Sequence, residues 1–323
     1  MSRMSFLAAV TPEQLPEILD LTYPLWGEGL SREGYERYNV AQVKTAWGQS
    51  HLRRVVLVDG GRWVSTAKRY ELLARLDGRE IPVLGIGAVF TPKPFRERGH
   101  ATDLLRRMMA QAEGEGFGAA LLFSEIDPGY YARLGFRVVP VNQVTLDVTP
   151  AAGPPAIPVR SGERRDLPAI AEMNAAQAAG YRFALGRHTD HIDFALTKKR
   201  LLAACGPPGR WNVEFVVTEE GGRAAAYVAL LVVGASWMVT ECGDRDPSGA
   251  RVGAMLQTLL AAAERRPERI RAWLPSRFLP PQARIVAHET PPLTMMMRRF
   301  GHDGGAASPL TRDDLAYWHA DAF

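Results

Sequence analysis

Ten residues, TPAAGPPAIP at 149–158, carry Pro, Gly and Ala without any hydrophobic period, and the elements on either side of them come in the same order. That repeated order is the strongest constraint on the fold. Before the linker, LPEILDLTYPLW (15–26) places apolar residues at helical spacing. A break at Gly27 and Gly29 leads into a second helix, for which Ser31 is a suitable N-cap. Residues 53–90 hold three strand-like runs, parted by the turn signals DGG and DGR. A helix to about Glu113, an apolar strand at 116–125 and a short helix at 127–136 follow, the last with Asp127 as cap, Pro128 in its first turn and Gly135 as its stop. FRVVPVNQVTLDV (136–148) closes the half with strand formers. After the linker, VRSGERRDLPAIAEMNAAQAAG again reads strand then helix, 224–243 reads as paired strands, 249–264 as an amphipathic helix, and 268–276 and 293–300 as strands. The order strand, helix, strands, helix, strand thus occurs twice with little identity. The expected class is α+β with mixed sheets: one unit over 1–148, the linker at 149–158, and a second unit over 159–323.

Composition narrows the function. The 323 residues suffice for two cores. No apolar run approaches the ~20 residues of a spanning helix, and MSRMSFLAAV meets TPEQ too soon for a signal peptide. The chain has two cysteines, Cys205 and Cys242, without ligand spacing, which argues against a disulfide framework and against zinc and makes the cytoplasm the expected compartment. His51, His188, His191 and His288 form no metal pattern, and HTDH at 188–191 lacks supporting carboxylates. The net charge of +4 permits an anionic partner without demanding nucleic acid, and no basic block interleaves with aromatics. The methionines at 295–297 read as core strand.

One stretch carries chemistry. VLGIGAVFTPKP (83–94) is an apolar strand, FRERGHA (95–101) a charged turn with a glycine, and TDLLRRMMAQAE (102–113) a helix. A glycine turn from a buried strand into a helix N-terminus gathers backbone N–H groups and the positive end of the helix dipole. Gly99 lets a ligand approach the backbone, Ala101 does not obstruct it, and Arg96 and Arg98 add charge suited to phosphate oxygens. The stretch is neither a P-loop nor a three-glycine dinucleotide fingerprint. It reads as a diphosphate cradle.

Arg-x-x-Gly-x-Ala at 96–101 resembles the acyl-CoA-binding motif of the GNAT-type N-acetyltransferases, and YYARLGF (130–136) is similar to that family's aromatic-Tyr-x-x-x-Gly-Phe segment. WGEGLSREGY, AVFTPKPFRERGHA and LLFSEIDPGYYARLGF further resemble the fungal lysine N6-acetyltransferases, and the two-unit layout resembles the enhanced-intracellular-survival type of amine acetyltransferase. The resemblance covers roughly 20–148 and implies two tandem GNAT-like acyl-CoA N-acyltransferase folds, the second degenerate, because GDRDPSGARVGA (243–254) lacks the cradle's residue order. It implies acetyl-CoA as co-substrate, held by Val89, Phe90, Thr91, Arg96, Glu97, Arg98, Gly99, His100, Ala101 and Thr102, with a strand at 86–91 splayed from its neighbour and no metal.

The implied reaction is direct attack of a primary amine on the thioester. The acceptor is a lysine-like small molecule or a peptide amine, or an aminoglycoside-like polyamine. A lysine-type ammonium with a pKa near 10.4 leaves roughly one molecule in a few thousand reactive at pH 7, so a base or a neutralising site is needed. The amides of Val89 and Phe90 would meet the oxyanion. By resemblance Tyr131 protonates the leaving thiolate, with Tyr130 beside it as the rival. Glu125 and Ser124 are candidate bases at the end of the strand before the tyrosines, and alternation turns them to opposite faces. YWHADAF (317–323) follows a candidate helix, and by resemblance the carboxylate of Phe323 is a third candidate. Trp26, Glu28 and Trp47 lie in the helical region expected to cover the acceptor, where Glu28 can hold a cationic amine. The rival readings are an acyl-CoA-binding regulatory module without turnover and, third, a nucleic-acid binder. Oligomeric state stays open.

Overall fold

The computed structural model describes residues 5–153, 157–301 and 308–323; residues 1–4 of the N-terminal stretch and 154–156 of the linker lie outside them. Strand β1 (Phe6–Ala9) leads into helices α1 (Gln14–Trp26), α2 (Arg32–Lys44) and α3 (Ala46–His51). Ser31 caps α2 as its sequence predicts, its Oγ accepting the Gly34 N–H at 3.0 Å, and Thr45 does the same for α3 through Gly48 at 3.0 Å. Strands β2 (Leu52–Asp59), β3 (Arg62–Leu76) and β4 (Arg79–Phe90) form a meander. Its turns are Gly60-Gly61 and Asp77-Gly78, all at positive φ, the geometry that matches the right-handed twist of a hairpin. Helix α4 (His100–Gly114), strand β5 (Ala119–Ser124), helix α5 (Gly129–Ala132) and strand β6 (Arg137–Val138) complete this series.

The chain goes on through β7 (Gln143–Val148), β8 (Arg160–Ser161), α6 (Leu167–Ala178), β9 (Phe183–Leu185), α7 (Thr189–Cys205), β10 (Asn212–Glu220), β11 (Arg223–Val233), β12 (Ser236–Asp244), α8 (Ala250–Ala262), β13 (Arg269–Trp273), β14 (Ala283–Glu289), β15 (Thr294–Arg299) and β16 (Leu315–Ala316). Short 3-10 turns at Arg312–Asp314 and His319–Asp321 flank β16, where the sequence suggests a helix. The stretch is too short between Pro309 and the aromatic tail to close several helical turns.

The chain folds into two compact units. The first comprises the residues up to Val139, Pro292–Pro309 and Phe323; the second comprises Pro140–Pro291 and Leu310–Ala322. These differ from the sequential boundaries the linker suggests, because two strands pair elsewhere. β7 joins the second unit's sheet between β13 and β14, and β15 joins the first unit's sheet between β5 and β6. A strand's residues specify a pleated surface but not which sheet it completes. Met295, Met296 and Met297 are all buried, as a strand covered on both faces requires.

In the first unit the strands run in the order β1-β2-β3-β4-β5-β15-β6. In this order β4 and β5 pair in parallel, with α4 as the crossover, and the other neighbours are antiparallel. One sheet face packs on α4 through Leu57, Leu84, Ile86 and Leu122 against Leu104, Leu105 and Met108. The opposite face packs on α1 through Val56, Trp63, Phe90 and Ile18. Adjacent Val56 and Leu57 serving opposite layers is strand alternation at work.

The second unit has the order β14-β7-β13-β12-β11-β10-β8. β12 and β13 are parallel and joined through α8, so the β4–α4–β5 plan recurs as β12–α8–β13. Val228, Val252, Met255, Leu256 and Ala272 form the core under α8, and Ile170, Ile192, Val217 and Tyr227 the core under α6 and α7. Two mixed sheets in one α+β chain bear out the expected class.

Candidate active site

β4 and β5 pair only from Val83↔Ala119 to Ile86↔Leu122. β4 itself continues to Phe90. Its ladder with β3 slips between Gly87↔Lys68 and Phe90↔Thr66, and Ala88 sits at φ 48. This bulge bends β4 as it leaves β5, so Ala88 and Val89 fall outside both ladders. The expected splay at 86–91 is therefore present, and its cause is a bulge that the sequence does not announce. Ser65 Oγ donates to the Phe90 carbonyl at 3.0 Å and lies 3.0 Å from Thr91 Oγ1, which fixes the strand's end.

Beyond it the chain turns through Lys93–Phe95. Arg96 Nε donates to the Thr91 carbonyl at 3.0 Å, and its guanidinium lies 5.9 Å from the centre of the Phe90 ring. Arg96 thus braces the turn as well as adding charge. Glu97 and Gly99 both have left-handed backbones, at φ 62 and φ 81. Gly99 is the N-cap of α4, and a Cβ there would meet nothing within 4 Å. Backbone angle, not crowding, selects glycine, and the space in front of it is open. The first amides of α4 have no intrahelical acceptor, so open space, free donors and the helix dipole coincide. Glu97 and Arg98 are exposed. His100 stands edge-on to Phe95 at 6.3 Å, and Thr102 Oγ1 lies 3.2 Å from the Tyr130 hydroxyl. Ala101 is half-buried in the first turn.

The two tyrosines differ sharply. Tyr130 is half-buried with its hydroxyl engaged by Thr102. Tyr131 is buried, its ring edge-on to Tyr130 at 5.0 Å and to Phe136 at 6.1 Å. Its hydroxyl makes no hydrogen bond among the described residues. Burial first, then the nearby Tyr130 and Glu125, push its phenol up to about 12. The N-cap of the tyrosine helix is Pro128, not Asp127 as the sequence suggests, and Asp127 braces the turn before it, its Oδ1 accepting the Gly129 N–H at 2.8 Å.

At the end of β5 the neighbours part as alternation requires. Ser124 is buried, and its Oγ donates to the Ile126 carbonyl at 2.8 Å, so its hydroxyl belongs to a local turn. Glu125 is exposed and its Oε2 accepts the indole N–H of Trp26 at 3.1 Å. The Trp26 ring in turn stands edge-on to Phe90 at 6.3 Å. Trp26 therefore joins the end of α1 to both parted strands. Glu28 is exposed at φ 47 in the turn after α1. Trp47 is buried on α3 with its ring 5.1 Å from that of His51.

Phe323 sits on the α1 side of the sheet. Its ring lies 4.6 Å from that of Tyr70, tilted by 34°, and stands edge-on to Phe123 at 5.3 Å. Gly85 and Gly87 make the slot: a Cβ on Gly85 would come within 2.8 Å of Phe323 Cζ, and one on Gly87 within 3.7 Å of its carboxyl carbon. Sequence reasoning passed over these glycines and Tyr70. The signal was available, since two glycines at i and i+2 in a strand mark one face where something approaches closely.

The second unit repeats the scaffold with different contents. β12 and β13 stop pairing at Val239↔Ala272, β12 bulges past Val239, and α8 starts from Gly249 at φ 70. Here the carboxylate of Asp244 fills the helix start. Its Oδ2 accepts the Arg251 N–H at 2.9 Å, and its Oδ1 accepts the Asp246 N–H at 2.9 Å and Arg251 Nη1 at 3.0 Å. Glu241, just past the bulge, is fully buried against Arg187. A carboxylate thus stands where the first unit offers free amides.

Among the described residues no helix is long and apolar enough to cross a membrane, and no group of three His, Cys, Asp or Glu can hold a metal ion.

Residues 9–139 match the family model of the acetyltransferase (GNAT) domain. No curated protein matches the chain by sequence. Solved structures match over most of it. A probable N-acyltransferase from Enterococcus faecalis V583 shares 15% identity with a TM-score of 0.65, covering 92% of this chain and 72% of its own. A GCN5-related N-acetyltransferase from Kribbella flavida shares 17% identity at 0.64, with coverage of 92% and 72%. The Saccharomyces cerevisiae N-myristoyltransferase with bound myristoyl-CoA shares 11% identity at 0.54, with coverage of 92% and 83%. At such identities the structures speak for the fold alone, and the narrower likeness to lysine or enhanced-survival acetyltransferases has no match among them. The match of residues 9–139 to the GNAT acetyltransferase domain, on a fold shared with N-acyltransferases, supports an acyl-CoA-dependent N-acyltransferase.

Proposed function

We propose that the first unit transfers a short acyl group, acetyl in the first instance, from acyl-CoA to the primary amine of a small molecule or peptide. One observation carries this reading: β4 parts from β5 at Ile86 and Leu122 beside a glycine-led helix start with open space before it. The diphosphate would lie on the amides at Gly99 to Thr102 with Arg96 and Arg98 around it, and the pantetheine arm would run along Ala88 to Thr91. The rings of Phe123 and Phe323 behind the splay support a short acyl chain.

In the reaction the amine nitrogen bonds to the thioester carbon, and the carbonyl oxygen gains charge opposite the amides of Val89 and Phe90. The C–S bond breaks, Tyr131 gives its proton to the departing thiolate, and the surplus proton on the new amide nitrogen returns to the Tyr131 phenolate. The ammonium proton of the acceptor goes to Glu125, which Trp26 holds at the mouth of the splay. In a chain that ends at Phe323, the terminal carboxylate beside Gly87 is the second base. Ser124, tied into its turn, is a support rather than a base. Glu28 and Trp47 are kept as substrate contacts of lower rank. The second unit supplies no coenzyme site, which the Asp244 contacts support.

Release of CoA thiol from acetyl-CoA with a panel of primary amines tests the reading, alongside calorimetric binding of acetyl-CoA. Binding with no thiol release on any amine would instead support the regulatory-module reading. No binding to folded protein would remove the reading altogether.

A further inference from the structure

Arg54 lies on β2 two residues before Val56, and so on the α1 face of the first unit's sheet. Its Nη2 donates to Asn39 Oδ1 at 3.5 Å, the outer limit of a hydrogen bond. Its Nη1 is shut off from solvent and has no partner. Arg54 shares this condition with Arg69, Arg160, Arg187, Arg271 and Arg299, each of which keeps a buried nitrogen without a hydrogen bond. Those five all have a carboxylate within ion-pair distance. Arg54 has none among the described residues. Burial lowers its pKa, and the hydroxyls of Tyr35 and Tyr70 offset this only in part. An uncompensated interior guanidinium is a costly group for a fold to keep, and a core serving packing alone would place a carboxylate beside it or an apolar side chain in its stead.

Its position suggests what completes it. Arg54 stands opposite Lys68 on β3, and Lys68 opposite Gly87 on β4, in one cross-strand row. Gly87 is the last residue before the bulge. Two strand spacings of ~4.8 Å put Arg54 roughly 10 Å from the backbone that would face the thioester. Tyr70, near Arg54, is the residue whose ring Phe323 packs against.

We propose that Arg54 anchors a carboxylate carried by the acceptor, so that the substrate class is an amino carboxylate whose amine reaches the splay while its acid end meets Arg54. This rests on the acyl-transfer reading above. A planar guanidinium with one unpaired nitrogen and the phenols of Tyr35 and Tyr70 near it suits the two oxygens of a monoanion. A polyamine of the aminoglycoside type would bring ammonium groups against it and be repelled.

Matched probes test the assignment. Wild-type protein is assayed for CoA release with 6-aminohexanoate, 4-aminobutanoate and hexylamine, and sodium hexanoate is titrated calorimetrically in the presence of acetyl-CoA. The same is done with Arg54→Met and Arg54→Lys, after melting curves establish that they fold. We expect kcat/KM for the better amino acid to exceed that for hexylamine by tenfold or more. Arg54→Met should erase that preference through KM, and Arg54→Lys should restore part of it. Equal use of hexylamine and the amino acids by the wild type, or a preference untouched in Arg54→Met, overturns the inference while leaving the acyltransferase reading intact. That comparison needs only the wild type, so a variant that fails to fold does not rescue the idea. Hexanoate binding that depends on Arg54, without thiol release on any amine, overturns the acyltransferase reading and keeps the anion site.

Discussion

The indole N–H of Trp26 donates to the carboxylate of Glu125 at 3.1 Å and so ties the end of α1 to the end of β5. The same ring stands edge-on to Phe90 at the end of β4. One side chain therefore spans the gap between the two strands that part. Trp26→Phe keeps an aromatic ring against Phe90 and removes the bond. Glu125 then loses its orientation but not its charge. We expect kcat with a good amine to fall about tenfold, Glu125→Gln to fall by roughly 10²-fold, and acetyl-CoA affinity to stay within twofold in both. Steady-state kinetics beside calorimetry checks this. Glu125→Gln with full activity would move the base to another group, Phe323 first.

Tyr131→Phe removes only a hydroxyl. If the phenol protonates the thiolate, kcat drops by roughly 10²–10⁴-fold while acetyl-CoA binding persists. The pH profile adds a sharper check. The phenol is pushed up to about 12, so it stays protonated through the whole assay range. The rate should therefore rise with pH as the acceptor amine deprotonates, and show no fall below pH 10. Tyr130→Phe should be mild, since its hydroxyl is engaged with Thr102. A fall in rate between pH 8 and 9 that Tyr131→Phe abolishes would contradict the raised phenol.

How much of this was legible in the sequence depends on range. Local signals held in part: Ser31 caps α2 as its spacing predicts, whereas Asp127 stands one residue before the N-cap Pro128 and braces the helix start through Gly129, and Gly99, read as a point of close backbone approach, starts α4 at a left-handed angle. Order along the chain also held, through the meander and the recurring strand–helix–strand plan. What failed was pairing. β7 and β15 have ordinary strand sequences, and nothing in them says that β7 belongs to the second unit's sheet and β15 to the first's. Helix α7 escaped because it buries His191 and Lys198, which blurs its apolar stripe. Arg96, Gly99 and Tyr131, on which the proposed site rests, come from a sequence motif with a mechanism. Arg54 and Gly85 were not legible there, because an arginine's lack of a counter-ion and a glycine's facing ring exist only after strands pair.

Gly99 makes a separable prediction. A Cβ there meets nothing, so Gly99→Ala adds no clash but forces φ 81 on an L-residue. That strain costs about 1–2 kcal/mol. Gly99→Asp adds the same strain and a negative charge at the helix start. Melting temperatures of the two should therefore be close, whereas acetyl-CoA affinity should fall several-fold in the first and more than 30-fold in the second. Equal losses would mean that backbone strain alone governs the loop and that no anion sits there.

In the second unit, Asp244 is predicted to keep an anion out. Calorimetry on the wild type should give one acetyl-CoA per chain. Asp244→Asn keeps the size of the side chain but weakens its grip on the Arg251 amide and guanidinium. We expect this variant to lose about 1–3 kcal/mol of stability, the cost of a buried charge-assisted bond, and to regain part of it in phosphate buffer. Two acetyl-CoA molecules per wild-type chain would show that the carboxylate yields to the coenzyme.

Acid should loosen the second unit first, and His191 is the reason. The ring is buried, and burial leads the causes that bring its pKa down to about 4, ahead of the opposing charge of Asp321 at 3.8 Å. An unfolded histidine titrates near 6.5. Between pH 6.5 and 4 the unfolded chain takes up a proton that the folded one refuses, so stability falls as pH falls through that window. The loss amounts to about 3 kcal/mol by pH 4. His319, also buried and lowered, adds to the same slope, while Glu241, whose carboxyl burial pushes up, opposes it by binding a proton in the folded state. His191→Gln removes the first term alone. Urea midpoints at pH 4.5 and 7 should therefore converge in the variant relative to the wild type, and an unchanged gap would mean that His191 is protonated in the fold and paired with Asp321.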